Sequence, residues 1–254
     1  MMDKRDILAD YHALEVLDCT LGRVTHKFSN LISPVLGFSE ILKKMNTDEE
    51  LNDFIIPIHE YSLELRNFND LLGASDLIES DQAERKLQAS NEAFLETYSQ
   101  ALKNVTGRDV SIHQLRSDPL QTVLLAYHAG ALRLAMEHLI RNALEAGSSV
   151  GSLKSECSLI NLDSNTAALL NLPASTYACF SLSGPSDALS SECLTQALTP
   201  LYTTKDVSRH KGLGLWHTYR LMRRMGGTVL LQNSLNQQSC AQLLIPASAG
   251  SAEG

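Results

Sequence analysis

The run LEVLDCTLGRVTHKFSNLISPVLGFSEIL, residues 14–42, decides the fold of the first third of the chain. Its apolar residues Leu14, Leu17, Leu21, Val24, Phe28, Leu31, Val35, Phe38 and Leu42 recur at alternating spacings of three and four. Leu51, Phe54, Ile58, Tyr61, Leu65, Phe68 and Leu72 repeat the pattern. Such heptads make helices with an apolar seam that packs against other helices. Between them KKMNTDEE is short and polar, and offers Asn46, Thr47 or Asp48 as a cap for the second helix. Two long helices with a tight connection form an antiparallel hairpin. A lone hairpin has too little core for both seams, so pairing into a four-helix bundle within a homodimer is expected. Pro34 and Pro57 fall inside the helices and are expected to loosen them locally.

The chain has 254 residues, enough for one large domain or two modest ones. A net charge of −8 argues against a nucleic-acid partner, which calls for a basic face. No apolar run reaches the length of a membrane span, and the start lacks a signal-peptide core, so a cytoplasmic protein is expected. The five cysteines are scattered with no CxxC pair, which suits reduced thiols acting as core fillers.

Beyond residue 80 the periodicity changes. NEAFLETYSQALKNV reads as a helix, DVSIHQL and QTVLLAY as strands, and ALRLAMEHLIRNALEAG as a helix closed by Gly147. ECSLINLD and YACFSLS read as strands, and 184–211 as loop-rich. A helix is expected near LGLWHTYRLMRRM, then a hairpin from GGTVLLQNS into SCAQLLIP. The class is α+β, divided into a helical hairpin over 1–80, an α/β sandwich over 81–247 and a disordered tail over 248–254.

On the heptad register His26 is the position farthest from the seam and points to solvent, with Asn30 one turn further on the same face. An imidazole and a carboxamide so placed can take a phosphoryl group and position an incoming water or aspartyl phosphate. Spacing alone leaves open that this is an ordinary solvated face.

Further residues resolve that choice. The stretch from Thr25 to Leu42, through His26, Phe28, Asn30, Leu31, Pro34, Leu36, Gly37, Glu40 and Leu42, resembles the phospho-acceptor box of two-component sensor histidine kinases. EHLIRNALEAG is similar to that family's N-box. TPLYTTK and KGLGLWHTYRLMRRMGG are similar to its later phosphate-side and glycine-rich boxes, in the same order. The resemblance spans roughly residues 10 to 246. It implies a dimerisation and histidine-phosphotransfer hairpin followed by an ATPase-type sandwich. It also implies ATP and Mg²⁺ as cofactors and a response-regulator receiver domain as partner, with an upstream sensor kinase as a further one. By position His26 and Asn30 are then the catalytic residues and Asn142 the Mg²⁺ ligand. Lys205 lies near the phosphates, and Gly212, Leu213 and Gly214 let the backbone approach them.

Two departures modify this. The family places a carboxylate directly after the histidine as base; here Lys27 stands there and accepts no proton. The family's adenine-reading Asp is Gly184, within SGPSDAL, and the expected glycines are Ser186 and Ala188. Asp187 lies three residues late, and His138 replaces the first N-box asparagine. A lost hydrogen-bond reader leaves the ligand's donor buried unpaired, so weaker ATP binding is expected. Three functions follow: a phosphotransfer protein moving phosphoryl groups through His26, a true ATP-dependent autokinase, or a non-catalytic pseudokinase that binds a receiver or kinase.

Overall fold

The computed structural model describes residues 4–46, 48–73, 87–89, 91–108, 123–206, 210–234 and 238–249. The expected strand DVSIHQL lies outside them. The chain divides into two compact units, residues 15–76 and residues 1–14 with 77–254.

In the first unit, helix α1 (Lys4–Met45) from residue 15 onward and helix α2 (Glu49–Gly73) form the hairpin. Asp48 starts α2 by accepting from the Glu50 amide at 3.0 Å. Pro34 and Pro57 lie within the two helices without ending either. The three-four series is not the internal seam of the hairpin. Phe38 is 67% and Phe54 68% exposed, while Ile32, Leu36 and Ile55 are buried together with the polar Thr25, Ser39, Ser62 and Asn69. At about 100° per residue the inner residues and the exposed apolar stripe occupy neighbouring faces of α1. The hairpin therefore closes on a thin, polar seam and leaves its main apolar surface outside. Asn69 ties the helices, its Nδ2 donating to the Thr25 carbonyl at 3.1 Å and to Ser29 Oγ at 2.7 Å. Ser39 Oγ and His59 Nδ1, 3.2 Å apart, make a second polar contact.

The second unit is built on antiparallel pairing. Its elements are β1 (Leu87–Ala89), α3 (Asn91–Thr106), β2 (Val123–Tyr127), α4 (Ala129–Glu145) and β3 (Lys154–Asn161). They continue with α5 (Ser164–Leu169), β4 (Thr176–Ser183), α6 (Ser191–Gln196), α7 (Gly214–Arg224), β5 (Thr228–Asn233) and β6 (Ser239–Ala249). The sheet runs β1-β2-β6-β4-β3, with β5 also on β6. On one edge β6 pairs β4, from Cys240↔Ser183 to Pro246↔Tyr177. On the other it pairs β5 through Leu244 and β2 from Ala247 to Ala249. Eleven residues are long enough to hold both partners. Ser248 and Ala249, assigned above to a tail, thus end a strand; residues 250–254 lie outside the described residues. The loop-rich stretch after Gly184 contains α6.

The core lies between the sheet and helices α3, α4 and α7. Phe180 of β4 meets Phe94 and Tyr98 of α3 edge-on, at ring distances of 5.9 and 5.1 Å. Trp216 and Tyr219 of α7 stack at 5.7 Å, both almost fully buried. Cys157 and Cys179 are core fillers, and burial pushes the Cys157 thiol up to about 12, far from a nucleophile's range. Cys19 is exposed and fills no core. Arg223, at the end of α7, donates to the carbonyls of Leu170 and Asn171 and holds the end of α5.

Candidate functional site

On the hairpin, His26 and Asn30 are both exposed, as expected, on the side of α1 away from the apolar stripe. Asn30 Nδ2 lies 3.5 Å from His26 Nδ1 and donates to it in the tautomer that leaves this ring nitrogen unprotonated. Beneath them the backbone is fixed from the inner side, since Asn69 bonds the carbonyl of Thr25, the residue before His26. The imidazole is exposed, beside a carboxamide and on a braced turn. Lys27 is exposed beside it and supplies charge, not a base.

In the second unit, α4 carries the N-box. His128 caps its start, Nδ1 accepting from the Ala131 amide at 3.2 Å. Its end is a Schellman motif: Gly147, at φ +99°, donates to Leu144 O, and Ser148 donates to Ala143 O. Asn142 and Lys205 come together, with Lys205 Nζ 3.4 Å from Asn142 Oδ1 and 2.5 Å from Glu145 Oε2. His210 Nδ1 stands 3.6 Å from the same Glu145 oxygen. Glu145 follows Asn142 by three residues on one helix face, a spacing that makes it legible as a neighbour, though it was not singled out from the sequence.

The glycine-rich stretch leads into α7. Gly212, at φ +65°, lies against its own chain: a Cβ there would stand 2.5 Å from the Leu201 carbonyl carbon and 2.6 Å from Tyr202 O. Its carbonyl accepts from the Leu201 amide at 3.0 Å. Leu213 is buried at the start of α7. Gly214 opens that helix, and a Cβ there would stand 4.0 Å from the His138 ring, in ordinary contact. Thr218 Oγ1 contacts both the Gly214 carbonyl, at 2.9 Å, and His138 Nδ1, at 3.4 Å. His138 also packs on His217, ring to ring at 5.9 Å. Burial foremost, then the charge of His217 and Arg141, lowers the His138 pKa to about 4, so the ring is neutral at pH 7.

At two of these positions the chain's own side chains stand close by. A Cβ at Gly184 would lie 2.2 Å from Ser148 Oγ, so a side chain where the adenine reader is expected requires the Ser148 hydroxyl to turn away. Ser148 is 7% exposed, and its hydroxyl has no hydrogen-bond partner among the described residues. Sequence reading passed over Ser148; only the Gly147 stop signal hints at its place. At Asn142 the Lys205 ammonium already faces the side-chain oxygen. A second positive charge about 4 Å from the first costs about 4 kcal/mol at an effective dielectric near 20, and a dication about twice that. Among the described residues no group of His, Cys, Asp and Glu has metal-binding geometry. No helix among them is long and apolar enough to cross a membrane.

No family model matches the chain. Sensor kinase CckA of Brucella abortus (strain 2308) is 20% identical over 252 residues, covering 94% of this chain and 25% of that protein. The chain thus spans about a quarter of the length of the curated relative it matches. Among solved structures, full-length ShkA in complex with AMPPNP superposes with a TM-score of 0.51 at 16% identity, over 92% of this chain and 46% of that one. The mycobacterial sensor histidine kinase MprB aligns at a TM-score of 0.43 and 12% identity over 62% of this chain and 96% of its own. Four boxes in family order, the sequence likeness to CckA and the ShkA-like fold agree: the chain is similar to two-component sensor histidine kinases and has their α+β architecture, a helical N-terminal region followed by an ATPase-like antiparallel sheet and helices.

Proposed function

We propose that the chain is a homodimeric histidine phosphotransfer protein that carries a phosphoryl group on His26 to or from aspartates of response-regulator receiver domains, with weakened or lost ATP binding. The observation that carries this reading is the pairing of an exposed, Asn30-contacted His26 with a nucleotide face whose expected contact points are taken by the chain's own residues. In the proposed step a ring nitrogen of His26 attacks the phosphorus of an aspartyl phosphate. A nitrogen–phosphorus bond forms, the phosphorus–oxygen bond to the aspartate breaks, and the electron pair leaves with the carboxylate. That carboxylate is a weak base of pKa about 3.9, so it departs without a general acid. The ring proton passes to water, since Lys27 cannot take it, and the Lys27 ammonium pairs with the phosphoryl oxygens. Asn30 orients the ring and the incoming group. The exposed heptad stripe supports the homodimer, because a second hairpin supplies the apolar cover that a single copy lacks.

Radiolabelled phospho-receiver mixed with the protein tests this. Label is expected on wild type and absent on His26→Ala. Label from ATP alone, abolished by the same substitution, would favour the ATP-dependent autokinase instead, a reading that the AMPPNP complex of ShkA keeps in view. No label from either donor would favour a non-catalytic pseudokinase.

A further inference from the structure

Resting on the reading of an altered nucleotide face, we infer that Lys205 is a resident cation: its ammonium takes the place of a divalent metal at Asn142 and Glu145. Metal-directed donors normally point their oxygens at a dication. Here one Asn142 oxygen and one Glu145 oxygen converge on Nζ, at 3.4 and 2.5 Å. Lys205 and Glu145 side chains are each about one-third exposed, so the pair is accessible to a competing ion and is not locked in the core.

Three features bring these groups together. Asn142 and Glu145 lie three residues apart on α4, so both oxygens face the same side. Lys205 is set by a local turn, its amide donating to Thr203 Oγ1 at 3.1 Å. His210 adds a second nitrogen within reach of Glu145, at 3.6 Å. A lysine is a compact point charge with three donors, and it satisfies two oxygens without the near-octahedral shell that Mg²⁺ demands. The consequence is a face that takes no divalent metal. A phosphate-bearing ligand arriving there meets the Lys205 ammonium.

Mn²⁺, a spectroscopic substitute for Mg²⁺, tests this in the full chain by the loss of its free-ion electron paramagnetic resonance signal. Wild type is expected to leave Mn²⁺ free to millimolar concentration. Lys205→Met is expected to bind one equivalent at least ten-fold more tightly than wild type, and Lys205→Met/Asn142→Ala to lose that gain. Lys205→Gln, neutral and able to hydrogen-bond to both oxygens, serves if the methionine variant does not fold. Binding by wild type that is lost in Asn142→Ala overturns the inference, and so does a folded neutral variant that binds no more tightly than wild type. Calorimetry with an ATP analogue in EDTA keeps the two readings apart. Micromolar binding there sinks the proposal of weakened nucleotide recognition, while the Mn²⁺ result still reports on Lys205 alone.

Discussion

The two units treat their sequence boxes in opposite ways. On the hairpin the reactive side chain and the apolar heptad both face outward, and the inner seam is made of Thr25, Ser39, Ser62 and Asn69 with few aliphatic residues. In the ATPase-like unit the boxes face inward onto the chain itself: Gly184 onto Ser148, Gly212 onto Leu201 and Tyr202, Asn142 onto Lys205. A motif records which side chains are available. Whether they meet a ligand or their own neighbours is decided by what the rest of the fold leaves in front of them. Among the described residues His26 stays exposed on the hairpin, while the second unit packs its own side chains beside its boxes.

The largest effect that tests this contrast is at His26. His26→Ala should leave no phosphoryl label above background in gel analysis with a phosphorylated receiver. Retained label on another residue would break the assignment of the outward-facing unit as the phosphoryl carrier. Next is the apolar stripe. Phe38→Asp, at a position 67% exposed in one copy, should shift sedimentation from dimer to monomer at micromolar concentration; an unchanged dimer would move the interface elsewhere. For the inward-facing unit, Gly184→Asp restores the residue type of the family but crowds the Ser148 side chain. Urea unfolding should show a loss of about 3 kcal/mol with no gain in nucleotide affinity, and adding Ser148→Gly should recover part of the loss. A single substitution that restored tight nucleotide binding would show that the face is open.

His138 gives a pH test of the same inward packing. Its folded pKa of about 4 lies below the unfolded value near 6.5. The unfolded chain therefore binds more protons between those values, and the stability that neutral His138 contributes is present above pH 6.5 and lost as pH falls toward 4. The loss should approach 2–3 kcal/mol in urea titrations and be absent from His138→Asn. The smallest effect concerns the polar seam. Asn69→Ala removes two hydrogen bonds and should cost about 1–2 kcal/mol in hairpin stability, with slower phosphoryl transfer to His26 because the turn carrying Thr25 loses its brace.

Much of this molecule was legible in its residues because helix and strand periods are local. The three-four series named both hairpin helices, Gly147 marked the end of α4, and GGTVLLQNS with SCAQLLIP gave the last hairpin. The exposure of His26 followed from register alone, and Asn30 from one further turn. What the residues could not reveal is which of two neighbouring faces of α1 meets α2. Apolarity favours the heptad stripe, but the structure closes the hairpin on Thr25, Ile32 and Leu36. Nor does any local pattern tell that Ser148, ordered by a helix stop, and Gly184, 36 residues later at the end of β4, share one space. The sequence determined the elements and the chemistry they carry, since those depend on residues within a turn or two. Tertiary packing alone decided which groups stay free for a ligand, because that depends on contacts between segments distant along the chain.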